Sequence, residues 1–159
     1  MQKLKLLIAL IAFAALTSHV NAGDVVNIGS KGVRIKMVTK DKRGISSSRV
    51  AEADCDVRVN KGAAVLHWAT SPFTHTTYPE LTSDAILAAT VMSQDGGVAV
   101  SPSRIVDRTN LSEGDETAAI AMGIQGSGRL KIDLQVGIDN PGAAGGMHST
   151  TVILTVTAQ

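Results

Sequence analysis

The stretch Ser149 to Gln159 constrains this chain more than any other. Val152, Leu154 and Val156 alternate with Thr151, Ile153, Thr155 and Thr157, and β-branched residues dominate both faces. It carries no charge. An exposed strand of this kind would pair with other chains and aggregate, so it is expected to lie inside a sheet. The rest of the chain then has to supply its partners.

Strand signals recur through residues 33–158, separated by Gly, Pro, Asn and Asp clusters. Val33, Ile35 and Met37 alternate with Arg34, Lys36 and Val38. Lys40 to Gly44 reads as a charged turn. Cys55, Val57 and Val59 share one face of a strand over 54–59, with Asp54 and Asp56 on the other, facing solvent. Asn60-Lys61-Gly62 is expected to break that strand, and a second follows over 64–69. Residues 70–83, with Pro72 and Pro79, read as a long polar loop. Residues 85–92 fit a helix by their alanines, but Ile86, Thr90 and Val91 favour a strand. Asp95-Gly96-Gly97 predicts a hairpin into 98–100. A short extended piece at 104–106 and a loop at 110–115 come next. Strands are predicted over 117–124, 130–136 and 149–158, with a hairpin turn at Gly123 to Gly128. Leu130, Ile132, Leu134 and Val136 oppose Lys131, Asp133 and Gln135 in the clearest amphipathic alternation. Short strands at this spacing predict an all-β sandwich rather than a parallel α/β sheet.

Residues 1–22 read as a secretory signal peptide. Lys3 and Lys5 precede the apolar run Leu6 to Leu16, and Val20-Asn21-Ala22 offers small residues for cleavage. The run is too short to span a bilayer, which takes about 20 residues. Residues 23–159 are expected to form one domain. Cleavage after Ala22 leaves 13 Lys and Arg against 14 Asp and Glu, a balance that excludes bulk electrostatic binding of nucleic acid. Trp68, Phe73 and Tyr78 are the aromatic residues of that domain, so small branched side chains must fill its core.

Catalytic signatures are lacking, and neither a cofactor nor a metal is expected. Gly123-Ile-Gln-Gly-Ser-Gly128 lacks the Lys-Ser/Thr of a phosphate loop. His67 and His75 have no glutamate motif between them. Ser71 and Ser101 precede prolines and lie in loops, not in a nucleophile elbow. Cys55 is the one cysteine, which leaves two readings: a buried thiol, or a disulfide between chains. Two stretches offer a receptor surface. One is Trp68, His75 and Tyr78, although Trp68 reads at least as well as a core residue. The other is Lys36, Lys40, Lys42 and Arg43, suited to an acidic glycan or a membrane headgroup, or simply a solvated turn.

The signal ending Asn21-Ala22, the alternating segment Gly23 to Met37, and the final strand after Asn140-Pro-Gly-Ala-Ala-Gly-Gly146 together resemble subunits of chaperone–usher fimbriae. The closing Thr-Val-Ile-Leu-Thr-Val-Thr-Ala-Gln is most similar to the capsule-like and thin-fimbrial types. The disulfide and penultimate tyrosine of rod-forming pilins are missing.

The resemblance implies an immunoglobulin-like β-sandwich that lacks a strand and is completed by a donor strand. It implies a donor within about 23–35, carrying Val26, Ile28, Val33 and Ile35. It also implies an acceptor groove and chaperone-capture edge at Val152, Leu154 and Val156. The partners would be a periplasmic chaperone, an outer-membrane usher, copies of the chain or related subunits, and a host-surface glycan or protein. The chain would pass through the periplasm to the cell surface. Two rival readings remain: a self-contained secreted β-sandwich binding module or inhibitor, and an edge strand in 23–35 that completes the chain's own sheet.

Overall fold

Two strands of 21 residues each organise the molecule: β4 (Val50–Thr70) and β10 (Ala118–Ile138). They pair antiparallel along their whole length, from Ala118 opposite Thr70 to Gly137 opposite Val50. The computed structural model describes residues 17–18, 25–28, 33–39, 50–139, 143 and 145–159; within 17–39 it describes only the side chains of Val33 and Ile35.

Both long strands bury alternate residues. In β10 these are Ala118, Ile120, Met122, Ile124, Leu130, Ile132 and Leu134. In β4 they are Cys55, Val57 and Val59, and then Ala64, Leu66 and Trp68. The parity of β4 changes because Asn60-Lys61-Gly62 holds one extra residue. Gly126 faces Gly62, whereas Gly128 already faces Val59. This is a β-bulge, which bends a strand and increases its twist without ending it.

The bulge corrects three expectations. Asn60 to Gly62 does not break the strand. Gly123 to Gly128 is not a hairpin turn but part of one continuous strand. Asp95-Gly96-Gly97 does not form a hairpin either. The strand before it, β7 (Ala85–Gly96), pairs with residues 128–138 of β10, and the strand after it, β8 (Ala99–Ser101), pairs with residues 123–125 of the same β10. The glycines were read as turns, but they stand side by side across the sheet. Gly62 faces Gly126, and Gly128 faces Gly96. At Gly126 the backbone has φ +107°, and a Cβ would collide with the Gly97 carbonyl oxygen. Only glycine fits there.

The sheet curls along this glycine line. On one side, β12 (Val152–Ala158) flanks the second half of β4, and β8 flanks the start of β10. On the other side, β3 (Val33–Thr39) pairs with residues 53–59 of β4 and carries β2 (Val25–Ile28) outside it. β7 lies along the rest of β10 with β9 (Arg104–Arg108) at its edge. Residues from both sides of the line form one core that includes Ile35, Cys55, Leu87 and Ile132 as well as Leu66, Trp68, Ile120 and Leu154. Each fully buried large aliphatic side chain contributes about 1.5–3 kcal/mol. The chain is thus all-β with a sandwich-like curled sheet, and residues 85–92 are strand, as their β-branched residues predict.

Residues 70–83 are more ordered than a loop. β5 (Phe73–His75) and β6 (Thr82–Ser83) pair with each other, and β11 (His148–Ser149) joins β5 to make a separate three-stranded sheet. At the far end, Thr109 ties β9 back to β7. Its hydroxyl donates to Asp84 Oδ1 at 2.9 Å and accepts from the Ala85 N–H at 2.8 Å.

Candidate functional site

The C-terminal strand β12 is positioned by its register. Leu154 faces Trp68, which faces Ile120 on its other side, so three large apolar residues form one cross-strand row. Leu154 is buried, and Val152 and Val156 are partly buried against the core on the same face. This is the face expected from the alternation. Hydroxyls clasp the start of the strand: Thr70 Oγ1 lies 3.0 Å from Thr150 Oγ1, and the Thr150 hydroxyl donates to the Ser71 carbonyl at 2.7 Å. The last N–H, from Gln159, reaches the Ala63 carbonyl at 2.9 Å.

Among the described residues, the outer edge of β12 is nearly open. Among the described residues its partner there is β1, the two-residue strand Thr17–Ser18, set against Thr155 and Leu154. Val152, Ile153 and Val156 to Ala158 have no described strand on that side. Unpaired N–H and C=O groups along an edge form a template for another strand.

The expected donor segment divides. Val26 and Ile28 lie in β2, opposite Ile35 and Val33. Val33 and Ile35 are buried in the chain's own core, because β3 pairs with β4 over seven residues. In this structure they are core residues of the chain itself.

The expected aromatic surface also divides. Trp68 is fully buried, so it offers nothing to a receptor. His75 is buried and serves to fold its lobe. Its Nδ1 accepts the Thr77 and Tyr78 N–H groups, each at 3.1 Å, and its Nε2 faces the Gly145 carbonyl at 3.2 Å. Two donors at Nδ1 fix the tautomer with the proton on Nε2. The ring meets His148 edge-on at 4.9 Å, and Gly146 packs so closely that a side chain there would collide with it. Tyr78 alone of the three is exposed, at 54%. Lys40, Lys42 and Arg43 lie outside the described residues, and Lys36 is placed only by its pairing with Asp56.

Cys55 is wholly buried, and its thiol is pushed up to about 12, first by burial and then by the Asp56 carboxylate. It cannot reach another chain while the domain is folded, which decides between the two readings of it. No group of three or more potential metal ligands occurs among the described residues.

One juxtaposition escaped the sequence reading. Arg58 and Arg129 are register partners on the outer face of β4 and β10, and both are exposed. Nothing local signals it, because cross-strand neighbours are distant in sequence. No protein-family model, curated protein or solved structure matches this chain.

Proposed function

We propose that this chain is a structural and adhesive subunit of a bacterial surface fimbria, an immunoglobulin-like sandwich completed by a donor strand. The observation that carries the reading is the outer edge of β12, which among the described residues carries only Thr17–Ser18 and is backed by half-buried Val152 and Val156. An incoming strand would add its backbone to that edge and set its side chains beside these valines. Removal of the signal at Ala22 would take away Thr17 and Ser18 and open the edge further. A periplasmic chaperone would hold the slot first, and an outer-membrane usher would then exchange it for the donor of the next subunit. With Val33 and Ile35 kept at home, the donor narrows to the segment before β3 that carries Val26 and Ile28. Tyr78 remains the exposed aromatic for receptor contact.

Deletion of Gly23 to Gly32 tests this directly. It spares β3, so the subunit should still be captured by its chaperone, yet polymers should vanish from the cell surface. Polymers of normal length would overturn the donor assignment.

The burial of Val33 and Ile35 in their own subunit favours a second reading, a self-contained monomeric binding module. Size-exclusion chromatography of the chain without residues 1–22, made with no chaperone, separates the two. A monomer stable at high concentration favours the module; concentration-dependent polymers favour the fimbria.

A further inference from the structure

The outer face of the sheet presents a cost that its own fold does not recover. Arg58 on β4 faces Arg129 on β10, and Arg34 of β3 occupies the next register position in the same row. Directly opposed side chains on neighbouring strands stand about 5 Å apart at Cβ, and like charges there repel. Two nearby carboxylates have other contacts, while Asp56 stands across from Lys131 in the adjacent row. Asp95, opposite Arg129 on β7, accepts the Arg129 backbone N–H at 3.0 Å through Oδ1. Asp54 holds Lys131 at 3.5 Å. Neither the Arg58 nor the Arg129 guanidinium has a carboxylate partner among the described residues. Both arginines line a cavity of about 570 Å³ whose other polar residues are Lys131, Asp56, Asp95, Ser93 and Gln94.

We propose that this cavity binds an acidic sugar, whose carboxylate or sulfate is gripped by Arg58 and Arg129. The volume suits a small ligand. A guanidinium fork matches the planar or trigonal oxygens of such a group. Asp56, Ser93 and Gln94 supply the acceptors and donors that sugar hydroxyls need, while the carboxylates of Asp56 and Asp95 would repel a polyphosphate chain. That mixture selects a singly charged glycan unit over nucleic acid. The inference stands whether or not the chain polymerises.

Isothermal titration of the full chain with sialyllactose, 3′-sulfated lactose and neutral lactose tests it. One acidic sugar should saturate one site per chain, and lactose should bind at least about tenfold more weakly, the loss expected when a charge-assisted contact goes. Saturation by sialyllactose assigns a carboxylate, and saturation by sulfated lactose a sulfate. Arg58→Gln and Arg129→Gln should each weaken binding by about tenfold or more, and Arg58→Lys by less, because it keeps the charge but loses the fork. Arg104→Gln, on exposed β9, should change nothing. The unliganded Arg58→Gln protein should melt no lower than the parent, because repulsion in the row is relieved. A lower melting temperature, undiminished binding in both Gln variants, equal binding of lactose, absence of saturation by either acidic sugar, or equal binding of an oligothymidylate would overturn the proposal.

Discussion

The two halves of β4 make an instructive contrast. Residues 53–59 and 64–70 belong to one strand, share the partner β10 and bury alternate residues in one core. The first half is flanked by β3 and then by β2. The second is flanked by β12, whose far edge carries only Thr17–Ser18 among the described residues. Equal burial thus coexists with unequal edge protection. Side-chain patterning decides what enters a core; only the order of strands decides which backbone stays open.

The severest way to break this contrast is a charge set against the second half, on β12. Leu154→Asp would set a carboxylate beside Trp68 in an apolar row, at a cost of several kcal/mol. The protein should fail to give a cooperative thermal transition, and on the fimbrial proposal it should be degraded in the periplasm before chaperone capture. Thr155→Asp, on the opposite face, should retain both; wild-type secretion of Leu154→Asp would remove β12 as a core and capture element.

The crease between the halves offers a finer test. Gly126→Ala meets both a positive φ and the Gly97 carbonyl, and should lose about 2–4 kcal/mol. Gly62→Ala has φ +137° but open space around it, and should lose about 1 kcal/mol. Chemical denaturation of both variants should rank them in that order. Equal losses would show that the close approach at Gly126 contributes nothing.

The first half is probed most gently at Cys55. Cys55→Ala should cost on the order of 1 kcal/mol, with no covalent dimer lost on non-reducing gels. The native thiol should resist an aromatic disulfide reagent at pH 8 until denaturant is added. Its ordinary value of 9.0 is raised to about 12 in the fold, so the unfolded chain loses the proton first. Stability from this group is therefore fully present below pH 9 and is lost as pH rises toward 12. Stability measured across that window should fall more steeply for the parent than for Cys55→Ala.

Alternation within short stretches was enough to fix the inward faces of several strands, though not where each strand ends. Cys55, Val57 and Val59, Leu130 to Leu134, and Leu154 all lie where period-two alternation puts them, because successive Cβ atoms in a strand point to opposite faces. The glycines were legible as interruptions but not as a shared crease. A local pattern cannot distinguish a turn, which reverses one strand, from a bulge, which bends several strands together. The tertiary structure put Gly62 beside Gly126, packed Val33 and Ile35 into the chain's own core, hid His75, gave the outer edge of β12 only Thr17–Ser18 among the described residues, and set Arg58 against Arg129. Each depends on which strand lies next to which, and pairing joins residues far apart in the chain. No short stretch of sequence records it.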